Sequence, residues 1–122
     1  MSRAAQGLRA WLLQRFTAIY LAVYLAVVLV YSAVRGSFSY SEWRAWLGGP
    51  SMGVATALFA LALLLHVWVG IRDVLIDYVH AVWLRLLLMA ATALVLLGSL
   101  LWIARALALA ATGSTDLGPT AP

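Results

Sequence analysis

The chain has 122 residues and a mass of 13.2 kDa, enough for one domain, with 66% apolar and 10% charged residues. Ordinary soluble domains carry about 45–50% and about 25%, and a water-soluble fold this small cannot hide so much apolar surface. Eight arginines, no lysine and four acids leave a net charge of +4, too small and dispersed for a nucleic-acid surface. Without cysteine there is no disulfide, thiol nucleophile, zinc ribbon or iron–sulfur cluster. The composition is that of an integral membrane protein.

Three uncharged stretches, 16–34, 47–71 and 86–104, hold 19, 25 and 19 residues. Nineteen helical residues rise about 28 Å, close to the thickness of a bilayer's hydrocarbon layer. Lipid offers the backbone no hydrogen-bond partner, so each stretch is predicted to be helical. The expected fold is an all-α membrane protein, a single domain over 1–122 with three transmembrane helices near 12–34, 52–76 and 82–109. No alternating ten-residue pattern supports a β-barrel.

In chain order, the first span is too long for a removable signal peptide and lacks an Ala-x-Ala cleavage site, so it is expected to stay as an anchor. Ala18, Ala22 and Ala26 recur along it at every fourth position. Such a strip permits close helix packing, or it reflects only the abundance of alanine. The first connection, 35–51, carries Phe38, Tyr40, Trp43 and Trp46, rings suited to the headgroup level. Ser39 and Glu42 have capping-box spacing, which predicts a short interfacial helix. Gly48, Gly49 and Pro50 then turn the chain into the second span. The tail 112–122 is small and polar and is expected to be poorly ordered.

Three spans put the two ends of the chain on opposite sides. Arg3, Arg9, Arg15, Arg72 and Arg85 share one side, and Arg35, Arg44 and Arg105 the other. The side richer in arginine is expected to be cytoplasmic, placing the N-terminus inside and the C-terminus on the opposite side.

The informative segment is His66-Val67-Trp68-Val69-Gly70-Ile71-Arg72-Asp73-Val74-Leu75-Ile76-Asp77-Tyr78-Val79. An ionisable group inside a span is costly and raises a functional hypothesis, and His66 is the only one within the three uncharged stretches. At 100° per residue, His66, Gly70, Asp73 and Asp77 fall within about 60° on one face, with Tyr78 about 120° from His66. His66 has two readings: an imidazole hydrogen-bonded to a neighbouring helix, or an axial ligand to haem iron. Gly70, one turn on, would let a flat macrocycle approach the backbone. The other histidine, His80, lies 14 residues away, about 21 Å along a helix, too far to be the opposite ligand. A bis-histidine haem would then need a second polypeptide.

Asp77 and Tyr78 fall at the predicted membrane boundary. They read either as an acid pairing with Arg72 or Arg85 and a belt tyrosine, or as a quinone site. There the hydroxyl donates to a quinone carbonyl while the carboxylate orients it or relays protons. Arg72 reads as the ion-pair partner of Asp73 or as a haem-propionate ligand, and Arg15 as a second propionate ligand or a snorkelling anchor.

His66-Val67-Trp68-Val69-Gly70, then Asp77-Tyr78-Val79 and Leu84-Arg85-Leu86, resemble the small hydrophobic membrane-anchor subunit of succinate dehydrogenase (complex II), D-type. Arg15-Phe16-Thr17-Ala18-Ile19 and Tyr40-Ser41-Glu42-Trp43 are also similar to that family, so the likeness runs in order over about 12–105. The charged pair Arg72-Asp73 departs from the family's usual pattern. The resemblance implies that His66 is one axial ligand of haem b, the other histidine coming from a larger cytochrome b556-type anchor subunit. It implies that Tyr78 hydrogen-bonds ubiquinone with Asp77 beside it, and that Arg15 lies near the propionates. An iron–sulfur subunit and a flavoprotein subunit would complete the complex, and succinate chemistry would occur on them. Arginine without lysine and heavy Ala/Leu use suggest a GC-rich bacterial gene and an inner-membrane location. Three rivals stand: the anchor of a quinol:fumarate reductase, a small proton-coupled transporter subunit using His66, Asp73 and Asp77 without haem, and a cofactor-free assembly factor.

Overall fold

A computed structural model describes residues 3–113, and among these the ordered elements are all helices: α1 (Arg3–Arg35), α2 (Tyr40–Gly48), α3 (Pro50–Tyr78) and α4 (Val82–Thr112). The helices α1, α3 and α4 are each long and apolar enough to cross a membrane. This is the expected all-helical architecture, and its three long apolar helices are compatible with three spans.

The helices outrun the spans predicted from hydropathy. The helix α1 starts nine residues before position 12, at Arg3, and α3 gains two residues at each end. Loss of hydropathy marks where lipid ends, whereas the helix continues for as long as its residues favour it. Residues 3–10 are rich in alanine and arginine, both good helix formers. At 33 residues, α1 is about 50 Å long, well beyond the hydrocarbon thickness. At the other end of the chain, Thr112 closes α4 and Gly113 makes a turn. The remainder of the predicted tail, 114–122, lies outside the described residues.

The link from α1 to α2 follows the sequence closely. Gly36 takes φ 83° and donates its N–H to the Ser32 carbonyl at 3.0 Å, a left-handed turn that glycine adopts without a Cβ penalty. Ser39 then caps α2: the Glu42 N–H donates to Ser39 Oγ at 3.3 Å, and the Ser39 N–H donates back to Glu42 Oε2 at 2.8 Å. These bonds from Ser39, with Arg35 opposite at 3.6 Å, hold the Glu42 carboxyl below its ordinary value. Tyr31 stacks on Trp46 at 4.5 Å, and Phe38 lies 4.7 Å from Trp43, so an aromatic plate ties α2 to the end of α1. Gly49 ends α2 and begins α3, with Pro50 at the first helical position. A Cβ on Gly48 would fall 2.7 Å from the Ala110 carbonyl oxygen, so α2 reaches the backbone of α4 only because that side chain is missing.

The central helix is α3. It packs against α1 on one side and α4 on the other, while α1 and α4 make no contact with each other among the described residues. Among the described residues only Thr17, Ala60 and Val69 are buried. Most apolar side chains therefore face outward, toward lipid or other chains.

Candidate functional site

The site grows from the contact between α1 and α3. Thr17 is 7% exposed, and its hydroxyl is turned back on its own helix, 2.7 Å from the Leu13 carbonyl and 3.1 Å from that of Gln14. This is the usual way a mid-helix threonine satisfies itself. The same oxygen lies 3.1 Å from Nδ1 of His66. The half-buried imidazole is thus fixed on its Nδ1 side, and Nε2 makes no hydrogen bond among the described residues. Gly70, one turn further along α3, faces Gln14 of α1; a Cβ there would sit 3.5 Å from Gln14 Nε2, an ordinary contact. The Gln14 Oε1 is buried without a hydrogen-bond partner among the described residues. His66 and Gly70 accordingly share the face that the wheel placed them on.

Two further bonds continue this line along α1. Tyr20 donates to the Ala55 carbonyl at 2.7 Å, and Tyr24 lies 2.7 Å from Thr56 Oγ1. Thr56 is also 2.7 Å from the Met52 carbonyl, so its own proton goes there and Tyr24 donates to it. Tyr24 stacks on Phe59 at 4.4 Å. The face of α1 that meets α3 is therefore made of Gln14, Thr17, Tyr20 and Tyr24. The alanine strip does not form it: Ala22 and Ala26 are exposed.

At the far end of α3, Arg72 pairs with Asp73 at 3.0 Å, the local ion pair that the sequence allowed. No ion pair joins Asp77 to Arg72 or Arg85 among the described residues, so the structural reading of that acid loses its proposed partner. Asp77 is exposed, and Tyr78, the last residue of α3, is 78% exposed. Twelve residues separate His66 from Tyr78, about 18 Å along the axis. His80 lies in the three-residue link to α4, beyond the end of the helix that carries His66. Arg15 is exposed on α1, with its guanidinium over Trp11 at 5.6 Å from the ring centre.

Thr17 and Gln14 are the site residues that sequence reasoning passed over. Their signal was present, since Gln14, Thr17, Tyr20 and Tyr24 are polar or hydroxyl-bearing positions on one face of an otherwise apolar helix. No group of three or more metal-ligating side chains exists among the described residues. A single imidazole with one nitrogen engaged and the other unbonded suits an axial position, and the apolar neighbours of His66 suit a macrocycle.

The family model for the succinate dehydrogenase/fumarate reductase transmembrane subunit matches residues 1–101. The chain is also 32% identical over 97 residues to the succinate dehydrogenase hydrophobic membrane anchor subunit of Coxiella burnetii, an alignment covering 80% of this chain and 84% of that protein. With three apolar helices and the His66-to-Tyr78 segment carried on the central one, the chain belongs to the family of succinate dehydrogenase/fumarate reductase transmembrane subunits.

Proposed function

We propose that this chain is the D-type membrane anchor of a succinate:ubiquinone oxidoreductase. It supplies His66 as one axial ligand of a haem b shared with a larger cytochrome b556-type anchor, and Tyr78 and Asp77 to the quinone site. The observation that carries the reading is the state of His66: Nδ1 held by Thr17 at 3.1 Å, Nε2 unbonded among the described residues, in the middle of an apolar helix. Haem b, when bound, supplies a one-electron redox centre.

What this chain contributes is position. The imidazole is presented from α3 while α1 fixes its ring. The Tyr78 hydroxyl, at the exposed end of α3, donates to a quinone carbonyl, and Asp77 beside it orients that hydroxyl or relays protons from water. Arg15 and Arg72 provide positive charge for the haem propionates, with Asp73 already offsetting Arg72. An iron–sulfur subunit and a flavoprotein subunit dock at the Asp77–Tyr78 end. That end also gathers Arg3, Arg9, Arg15, Arg72 and Arg85, which favours the cytoplasmic side of a bacterial inner membrane.

The test uses the purified complex. In reduced-minus-oxidised spectra, His66→Ala is expected to lose or disturb a b-type haem signal that the wild type shows. A complex with no haem in either form points to the transporter or assembly readings instead. Tyr78→Phe is expected to depress ubiquinone reduction far more than succinate oxidation by a soluble artificial acceptor; equal losses refute the quinone role. Succinate:ubiquinone turnover against quinol:fumarate turnover decides the direction.

A further inference from the structure

The hydroxyl of Thr17 has one proton and three oxygen or nitrogen atoms in reach. Two of them, the Leu13 and Gln14 carbonyls at 2.7 and 3.1 Å, only accept. The third, Nδ1 of His66 at 3.1 Å, either donates or accepts according to where the imidazole carries its hydrogen. If the hydroxyl proton went to Nδ1, the shorter contact to Leu13 would be left without a hydrogen. If it goes to the Leu13 carbonyl, a lone pair of the oxygen faces the ring, and both contacts are satisfied when Nδ1 bears the hydrogen. The helix itself holds this arrangement, because a β-branched threonine mid-helix has few χ1 choices and the one that back-bonds the preceding turn is favoured. Thr17 is buried, so water does not compete for the oxygen.

We propose that Thr17 is a positioning residue for the iron ligand. By accepting a hydrogen bond from Nδ1–H it fixes His66 in the tautomer whose lone pair is on Nε2 and sets the plane of the ring. The inference rests on the reading of His66 as an axial ligand. Metal-bound histidines ordinarily give their second N–H to an acceptor that fixes the tautomer and raises ligand basicity. Here that acceptor comes from the neighbouring helix, so α1 reaches the iron through α3. Loss of the acceptor lowers the donor strength of the imidazole and disfavours the ferric form, which moves the haem potential upward.

The experiment compares Thr17→Val, Thr17→Ala and Thr17→Ser in the intact complex, with His66→Ala alongside. It reads haem midpoint potential, the low-spin electron paramagnetic resonance g values that report ring orientation, and haem transfer to an excess of apomyoglobin. Thr17→Val keeps the shape and removes the acceptor. It is expected to raise the potential, move the g values and weaken haem retention by about 10–100-fold, while Thr17→Ser stays near wild type on all three. Wild-type potential and g values in Thr17→Val or Thr17→Ala, with haem disturbed in His66→Ala, overturn the positioning role and leave the ligand assignment standing. An undisturbed haem in His66→Ala overturns the ligand assignment itself. Failure of Thr17→Ser to assemble, with Thr17→Val assembling at wild-type potential and g values, makes Thr17 a helix-packing residue through its methyl group and also overturns the proposal.

Discussion

The two faces of α3 are built differently. Against α1 it is joined by hydroxyl and ring-nitrogen contacts: Thr17 to His66, Tyr20 to the Ala55 carbonyl, Tyr24 to Thr56. Against α4 it presents Leu61, Leu64, Leu65 and Trp68 to Ala93, Leu96, Leu97 and Leu100, around a groove of about 350 Å³. No hydrogen bond between side chains of α3 and α4 is found among the described residues. In water the apolar seam would be the stronger by far. In lipid it competes with acyl chains that are just as apolar, so its energy comes from packing alone. The polar seam gains modest energy per bond, but each bond exists in one register only. A one-residue slip would part Thr17 from His66. The seam that carries the candidate ligand is thus the one with a fixed register.

That comparison breaks or sharpens on measurements ordered by expected size. The largest effect is expected from Leu64→Ala, where truncating a packed leucine costs about 2 kcal/mol, the lower end of the usual range because Leu64 is only half-buried. Unfolding of the chain in mixed micelles reads this directly, and Leu64→Met should recover most of the loss because it keeps the volume. If Leu64→Ala costs nothing measurable, α4 is held by its contact with α2 rather than by the apolar seam.

A smaller effect tests the polar side. A double-mutant cycle of Tyr24→Phe and Thr56→Val should give a coupling of about 0.6 kcal/mol, the average for hydrogen bonds between membrane helices. Additive losses would show that the two hydroxyls do not recognise each other and that register is set elsewhere. The ring stack of Tyr24 on Phe59 at 4.4 Å survives Tyr24→Phe, so the cycle isolates the hydroxyl.

The smallest effect lies outside both seams, in the cap of α2. The Glu42 carboxyl is held below its ordinary value of 4.5, first by the Ser39 N–H and then by the Ser39 hydroxyl. A depressed acid stabilises the fold above its unfolded value, and that support disappears as pH falls through the folded value. Tryptophan fluorescence from Trp43 and Trp46, on α2 itself, should therefore shift on acidification below about 4.5, and Glu42→Gln should flatten the shift. A pH response unchanged in Glu42→Gln would place its origin elsewhere.

Much of this was legible before the fold was known. The three spans follow from uncharged length against bilayer thickness, and α2 follows from Ser39 and Glu42, because a capping box is written in four consecutive residues. His66 and the Asp77-Tyr78 pair stand out in the sequence because polar groups within or beside an apolar run are costly, and Gly70 because it leaves a gap one turn from His66. The alanine strip left two readings open, and it is not the α1–α3 contact, since Ala22 and Ala26 face outward. Close packing needs small residues only where backbones touch, and at the α1–α3 contact the helices are bridged by tyrosine and threonine side chains.

The sequence alone determined that the chain has three stretches long and apolar enough to cross a membrane, where the polar face of the second of them begins, and which imidazole sits within it. Only the tertiary structure decided that α3 is the middle helix, that Asp73 takes Arg72 while Asp77 does not, and that Thr17 meets His66. The reason is physical. In a soluble protein, burial and hydropathy agree, so a pattern of apolar residues reveals which face turns inward. In a membrane, lipid-facing and most helix-facing surfaces are equally apolar, so a polar row such as that of α1 marks an inward face, but the partners it meets come from distant parts of the chain, which no local pattern records.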